Sequence, residues 1–344
     1  MRTFKMSFAT ASLMLVIAIN LASCKQKEDD LKPIDTNALE IKVLPDTLSK
    51  LKIYEGAPSN LQNNSSYIEY EGINNSYNDS CDKQDLVYVP VGKKIVPPAN
   101  GNGLPTFPSG TILLKTFYYW KDKRNHSLGK QLVETRVVLY DGEKWTGKAY
   151  AWDASQNDAY FVLSGKSVPV SWINENGKAY KFDFKIASEF QCRQCHTQKT
   201  LGTFLPIHFQ MKNLNLTRPW APAINQLEFF SQKGIMSSVN SSSFLSVPAY
   251  SDTTQTIEKR VRGYLDTNCA HCHSPEGYAY DYSSLNLKFD VSLEESHILD
   301  PGMKADIISR MLSTDVKKRM PKIHSSLNDT KYINLVEKYL NTLP

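Results

Sequence analysis

Cys192-Arg193-Gln194-Cys195-His196 and Cys269-Ala270-His271-Cys272-His273 are the two stretches that decide what this 344-residue chain folds around. Both have the pattern C-x-x-C-H, the attachment motif of a c-type haem. In that chemistry two thiols add to the two vinyl groups of one porphyrin, and the adjacent histidine ligates the iron. With six Cys and seven His in the chain, random order would give about 0.002 copies of the pattern, so two copies are not accidental.

The sequence therefore predicts two covalently attached haem c groups. Their attachment residues would be Cys192, Cys195 and His196 for the first haem, and Cys269, Cys272 and His273 for the second. A Cys₄ zinc site is the first alternative, but such sites usually close over a loop of about 15–20 residues, and here the two pairs are much farther apart. A thioredoxin-like redox pair would need a βαβ setting, which the sequence pattern does not show.

The N-terminus has the pattern of an export signal that ends in a lipid-attachment site. Arg2 and Lys5 precede a mostly apolar stretch over residues 6–20, and Leu21-Ala22-Ser23-Cys24 resembles the lipobox of bacterial lipoproteins. We expect a signal peptide over residues 1–23, acyl chains on Cys24, and a tether over residues 24–45. The protein would be exported and lipid-anchored in the cell envelope, on the periplasmic side or the outer membrane surface. An ordinary signal peptide is the alternative.

Composition is that of a folded body rather than a nucleic-acid-binding protein. Hydrophobic residues make up 41% and charged residues 22% of the chain, which is near the globular average. The formal charge of +5 falls by two, to +3, when Arg2 and Lys5 leave with the signal, so no nucleic-acid partner is expected. Cys81 is the one cysteine without an assigned role, and we expect a buried thiol there.

The pattern of residues changes near residue 187. Residues 46–186 contain short alternating strands with Asp141-Gly142 and Asn176-Gly177 as turns, which predicts an antiparallel β-sandwich-like domain. After residue 187 the pattern is helical and rich in loops. The expected fold is α+β and multi-domain, with the first haem-attachment segment over residues 187–250 and an all-α, cytochrome c-like domain over residues 251–344.

The C-terminal part has the order of elements of a small cytochrome c. A helix precedes the second motif, and a helix from about Asp329 ends the chain. The first has Ile257, Val261, Tyr264 and Leu265 on one apolar stripe, and the last has Ile333, Val336, Tyr339, Leu340 and Leu343. Between them, Met320 precedes a proline and is the predicted distal iron ligand. His297 and His324 are the alternatives. A thioether favours reduced iron and raises the potential above that of bis-His ligation.

The distal ligand of the first haem stays open in the sequence. Met211, Met236 and His208 are candidates, and so is a site with no distal ligand. A vacant iron position would admit small-molecule chemistry such as peroxide reduction.

Short strings from about Phe107 to the C-terminus carry a resemblance to known proteins. Besides the two motifs, these strings are Phe107-Pro108-Ser109-Gly110-Thr111, Lys115-Thr116-Phe117, Glu134-Thr135-Arg136, Tyr150-Ala151-Trp152, Asp158-Ala159, Asn213-Leu214-Asn215, Asn225-Gln226-Leu227, Tyr264-Leu265-Asp266-Thr267-Asn268 and Arg319-Met320-Pro321. In these strings and their order the chain resembles a family of exported bacterial c-type cytochromes of unassigned role. The resemblance implies a β-rich N-terminal part, a cytochrome c C-terminal part, haem binding and electron transfer, and it implies no substrate. Thr200 to Gln210 departs from a more glycine- and proline-rich family pattern, so the resemblance does not name the distal ligand of the first haem.

Three functions are compatible with these observations. The leading hypothesis is a membrane-anchored electron-transfer protein that exchanges electrons with a redox partner protein in the periplasm or envelope. The second is a dihaem peroxidase-like oxidoreductase with one open haem. The third is a ligand-binding β domain to which the cytochrome domain is an accessory.

Overall fold

The structure is a computed structural model that describes residues 41–77, 80–99, 103–198, 204–218, 224–322 and 330–344. The predicted signal peptide, Cys24, most of the tether, Asp329 and His324 lie outside these residues. Within the described part of the chain, no helix is long and apolar enough to span a membrane.

In the described residues, eight strands form two antiparallel sheets. The larger sheet is a meander of six strands in the order β1 to β6, and the smaller one pairs β7 with β8. The antiparallel β-rich region is thus confirmed, but its second layer is a single hairpin rather than a full sheet. The strands are β1 (Tyr67–Tyr70), β2 (Asp82–Tyr88), β3 (Ile112–Trp120), β4 (Lys130–Tyr140), β5 (Trp145–Trp152), β6 (Ala159–Phe161), β7 (Lys166–Ile173) and β8 (Ala179–Ile186).

Helices follow the last strand. Helices α4 and α6 share a core that contains Val261, Tyr264 and Leu265 from α4 and Val336, Tyr339 and Leu340 from α6, so both sequence-derived apolar stripes are buried. The chain is therefore α+β. The α-helices in the described residues are α1 (Glu189–His196), α2 (Met211–Leu214), α3 (Gln226–Gln232), α4 (Ile257–Asn268), α5 (Met303–Leu312) and α6 (Thr330–Leu340).

One face of the large sheet is covered by the segment that precedes β1. Alternate residues of β3, including Ile112 and Leu114, pack with Leu48, Leu51 and Ile53 of that segment. This is the expected result of the two-residue period of a strand, which sends neighbouring side chains to opposite faces. The hydroxyls of Thr116 and Thr135 lie on this side, 2.8 Å apart and hydrogen-bonded across β3 and β4.

The opposite face of the sheet is covered at its two ends by different elements. At one end Phe117 and Tyr119 pack against the β7–β8 hairpin, in a cluster that also buries Cys81. At the other end Leu113 and Val87 pack with the segment that contains α2 and α3. The middle of this face, at Lys115 and Arg136, is left to a cavity.

Buried amides join the sheet to the helical part. The backbone N–H of Asn74 donates to Oδ1 of Asn213 at 2.9 Å, and Nδ2 of Asn213 donates back to the carbonyl of Asn74 at 3.1 Å. The Asn74 side chain also donates to the carbonyl of Pro248 and accepts from the N–H of Tyr250. Buried amides with all bonds satisfied fix one arrangement, because any shift would leave polar groups unpaired.

Strand β1 is the element that the sequence pattern did not indicate. It lies in an Asn- and Ser-rich stretch with weak periodicity, yet it pairs along its whole length with β2, from Tyr67 opposite Tyr88 to Tyr70 opposite Asp85. Four residues show only two periods of alternation, so pairing with β2 rather than the local sequence pattern defines this strand.

Gln226 tests the importance of the amide contacts for stability. Its fully buried side chain donates to the carbonyls of Glu71 and Leu214 and accepts from the N–H of Glu71 at 2.9 Å. We expect Gln226→Ala to lower the free energy of unfolding by about 2–4 kcal/mol, since buried partners lose their bonds. Denaturant unfolding would measure this. Gln232→Ala, at the exposed end of the same helix, should stay within about 0.5 kcal/mol, and equal effects of both changes would contradict the account.

Candidate functional site

A cavity of about 760 Å³ lies between the open middle of the sheet face and helices α1, α4 and α5. It is the place where the two C-x-x-C-H motifs meet. All six predicted attachment residues line it, although the motifs are 77 positions apart in the chain: Cys192, Cys195, His196, Cys269, Cys272 and His273.

Strands β3 and β4 each contribute a basic residue to the cavity wall. Lys115 and Arg136 are register partners on these strands, and both line the cavity. Arg136 is paired with Glu134, whose carboxylate accepts from Nε at 2.8 Å. Lys115 lies 3.3 Å from Asp85, a carboxylate that it shares with Lys83. Burial lowers the pKa of Lys115 to about 7, an effect that the nearby Asp85 partly offsets.

Helix α1 holds the first motif and begins directly after the hairpin sheet. Strand β8 ends at Ile186, and Ser188 caps the helix through a reciprocal capping box with Gln191. The motif fills the rest of this eight-residue helix and ends at His196. Only two residues separate the end of β8 from the start of α1, so the β7–β8 sheet sets the position of the first motif.

The His196 ring is oriented by a backbone carbonyl. Its Nδ1 lies 2.6 Å from the carbonyl oxygen of Leu205. Since a carbonyl can only accept, this contact assigns the proton to Nδ1 and leaves Nε2 as the atom with a lone pair. Burial lowers the pKa of His196 to about 4, so the ring is neutral, as a metal ligand must be.

Phe204 supports the same imidazole from its flat side. The two rings are stacked with centroids 4.5 Å apart and planes 12° from parallel. Phe204 can lie there because β5 has a glycine opposite it: a Cβ at Gly147 would come within 2.6 Å of the Phe204 ring. Gly147 thus makes room for the ring that holds His196.

The second motif starts at the end of α4, and polar contacts fix that end of the helix. Asp266 accepts from Nζ of Lys212 at 2.5 Å and from the N–H of Phe289 at 2.8 Å. Asn268 accepts from the N–H of Tyr77 at 2.6 Å. These residues belong to the string that precedes the motif in the sequence. They hold the start of the second motif against the sheet side of the molecule.

His273 is held differently from His196. Its carbonyl accepts from the N–H of Leu287 at 2.9 Å, but within the described residues its buried Nδ1 has no hydrogen-bond partner. Burial lowers the pKa of His273 to about 4. This ring is also neutral, with nitrogen atoms available at the cavity.

The two motifs touch each other. The ligand atoms of Cys195, His271 and Cys272 all lie within 4.8 Å of one another. A hydrogen bond between the two thiols lowers the pKa of Cys195 and raises that of Cys272. His271 fills an unspecified position of the C-x-x-C-H pattern, so the sequence did not indicate its nearness to both thiols.

Some of the candidate distal ligands line the cavity and others do not. Met320 lines the cavity, and its N–H donates to the carbonyl of Arg310 at 2.9 Å. His208 also lines the cavity, with its ring centroid 6.2 Å from that of His271. His297 is not among the described residues that line the cavity, and its Nδ1 lies 3.2 Å from a carboxylate oxygen of Asp300.

Met211 and Met236, the two methionines expected as ligands of the first haem, lie elsewhere. Both are fully buried in the core that α2 and α3 share with the sheet. Neither is among the described residues that line the cavity. Their apolar side chains are used for packing, a use that sequence distance from the motif did not reveal, so the structure offers no support for either candidate.

Comparisons of the chain with protein-family models, with curated proteins and with solved structures found no match. The chemistry of the site therefore has to carry the functional argument. Four thiols and two neutral imidazoles at one largely apolar cavity fit two haem c groups, each needing two thiols and one imidazole. A single zinc ion at Cys195, His271 and Cys272 would leave His196, His273 and the other two thiols without a role.

Gly147 gives a test of how His196 is supported. Gly147→Val should lower the free energy of unfolding by about 1–3 kcal/mol because the new methyls overlap the Phe204 ring. In a Phe204→Ala background the same change should cost at least about 1 kcal/mol less, as expected for residues in contact. Denaturant unfolding of the four proteins gives this coupling. Thr146→Val, at the exposed neighbouring position, serves as the control, and an additive double variant would disprove the contact.

Proposed function

We propose that this protein binds two covalently attached haem c groups and transfers electrons. One observation carries the proposal: both C-x-x-C-H motifs, which come from different elements, line one cavity with all six of their reactive side chains. Two unrelated cysteine pairs would have no physical reason to converge with a histidine each. When bound, each haem supplies a one-electron iron couple, and the polypeptide supplies ligands, burial and electrostatics.

The residues of the chain have distinct roles in this proposal. Cys192 and Cys195 attach the first haem and Cys269 and Cys272 the second, each thiol adding its S–H across a vinyl double bond. Nε2 of His196 is the proximal ligand of the first iron, and the Leu205 carbonyl keeps its tautomer fixed. His273 is the proximal ligand of the second iron.

Met320 is the proposed distal ligand of the second haem. It is half-buried at the cavity, on the segment between α5 and α6, and the core of α4 and α6 lies beside it. This arrangement supports a cytochrome c-like C-terminal region, in which the first and last helices pack together and a loop supplies the sulfur. A thioether ligand would raise the potential of this haem above that of a bis-His site.

The proposal includes the cellular setting that the sequence indicates. Covalent haem attachment of this type takes place outside the cytoplasm, which agrees with the export signal and with acylation at Cys24. We propose a lipid-anchored protein of the cell envelope that meets a redox partner protein transiently. Interfaces of redox partners tend to be small, so a short-lived contact near the cavity would suffice.

A peroxidase-like oxidoreductase is the second candidate, and the position of the methionines favours keeping it. Met211 and Met236 lie in the packed core, so the first iron has only His208 of the original candidates near it. If His208 does not ligate, the first iron has an open position next to a histidine. High-spin iron at the first haem together with fast peroxide turnover would support this candidate over the pure carrier.

The mass of the mature protein tests the proposal directly. Purified from a host that attaches haem c, it should carry two haems that survive denaturation and acid–acetone extraction. Replacing Cys192 and Cys195 by Ala should remove one of them. A bare polypeptide, with or without bound zinc, would overturn the proposal.

Met320→Ala should keep both haems attached but lower one midpoint potential, because iron loses a ligand that favours the reduced state. The far-red band of methionine-ligated ferric haem should weaken in parallel. Redox titration and absorption spectroscopy measure both quantities. Met311→Ala, which also alters a cavity-lining methionine, is the matched control and should leave the band intact. A band lost in the control rather than in Met320→Ala would reassign the ligand.

A further inference from the structure

The second cysteines of the two motifs are in contact, and this contact has a consequence for any haems attached there. Sγ of Cys195 and Sγ of Cys272 lie within 4.8 Å of each other, with a ring nitrogen of His271 inside the same span. Cys272 Sγ also lies 3.9 Å from the carbonyl oxygen of Gln194, which belongs to the other motif. The two motifs therefore present their second thiols to a common point in the cavity.

Backbone pairing outside the motifs fixes this juxtaposition. Gln198, two residues after the first motif, pairs antiparallel with Gly277, four residues after the second. Gly277 is packed so tightly that a Cβ there would overlap the carbonyl of Cys272. The approach of the thiols is thus part of the chain path and does not depend on a side-chain rotamer alone.

We propose that the two haems form one electronically coupled pair, joined at the edges that carry Cys195 and Cys272. This inference rests on the proposed function, since it requires both haems. When a thiol adds to a vinyl group, the sulfur bonds to a carbon attached directly to the porphyrin, and the hydrogen goes to the other vinyl carbon without any oxidant. The path between the two macrocycle edges would then consist of one carbon–carbon bond and one carbon–sulfur bond on each side and a sulfur–sulfur distance under 4.8 Å.

Such a pair behaves as one centre that holds up to two electrons. With both haems bound, each iron would supply a one-electron couple, and exchange between them would need no change in bonds or protons, so Cys195 and Cys272 would only have to hold the two edges together. The first electron also repels the second at this short range, so the potentials belong to the pair rather than to either haem. In this respect the protein would differ from electron carriers whose haems are bound in independent domains.

Electron paramagnetic resonance of the dihaem protein tests the pairing without any substitution. In the fully oxidised protein the two ferric spins should interact, so that the signals of isolated ferric haems are lost or broadened. Poising the protein at half reduction leaves one ferric haem in most molecules, and the isolated signal should then sharpen. The Soret circular dichroism should show a two-signed band from coupled haem transitions in the same sample.

A variant lacking the second haem, with Cys269 and Cys272 replaced by Ala, provides the reference. Its remaining haem should lose the two-signed band and give the isolated ferric signal in the oxidised state. If this variant does not fold, the comparison of oxidised and half-reduced wild-type protein still decides. Two haems by mass with additive, unbroadened signals would overturn the pairing alone. One haem or none would overturn the proposed function and the pairing with it.

Discussion

The arrangement of the site depends on the amide contacts that lock the segment before β2 to the helical part of the chain. Asn74 exchanges two hydrogen bonds with Asn213, while the N–H of Tyr77 donates to Asn268 at the end of α4. These contacts fix where the second motif begins relative to the sheet, and α1 fixes the first motif relative to the same sheet. Together with the pairing of Gln198 with Gly277, they give the two motifs a common frame.

The sheet acts as more than a scaffold. Its two-residue period sends Thr116 and Thr135 to the face that packs on the N-terminal segment, and it sends Lys115 and Arg136 to the cavity. In each of the strings Lys115-Thr116-Phe117 and Glu134-Thr135-Arg136, the threonine therefore stabilises the sheet. The neighbouring basic residue lines the cavity. One described sheet face is covered by a core cluster, and the middle of the other lines the cavity, so a ligand of the β domain would have to share that cavity with the two motifs.

Local pattern was enough to predict the strands from Thr111 to Ile186 and the apolar stripes of α4 and α6, because each shows several periods of alternation or helical spacing. The six attachment residues could also be named from local sequence, because each motif lies within five consecutive residues. What the sequence could not give was anything that depends on which distant segments meet. The packing role of Met211 and Met236, the proximity of Cys195 to Cys272 and the pairing of β1 are all of this kind. The buried amides Asn74, in a loop, and Gln226, the first residue of α3, look like ordinary surface polar residues until their partners are known.

With haems bound as proposed, the paired charges on the cavity wall would also affect electron exchange. Lys115 with Asp85 and Arg136 with Glu134 are oriented dipoles anchored on adjacent strands, rather than mobile solvent. Groups held in this way turn little when a neighbouring charge changes. The outer-sphere reorganisation energy for moving an electron beside this wall should therefore be small, which lowers the barrier to transfer without requiring a large driving force.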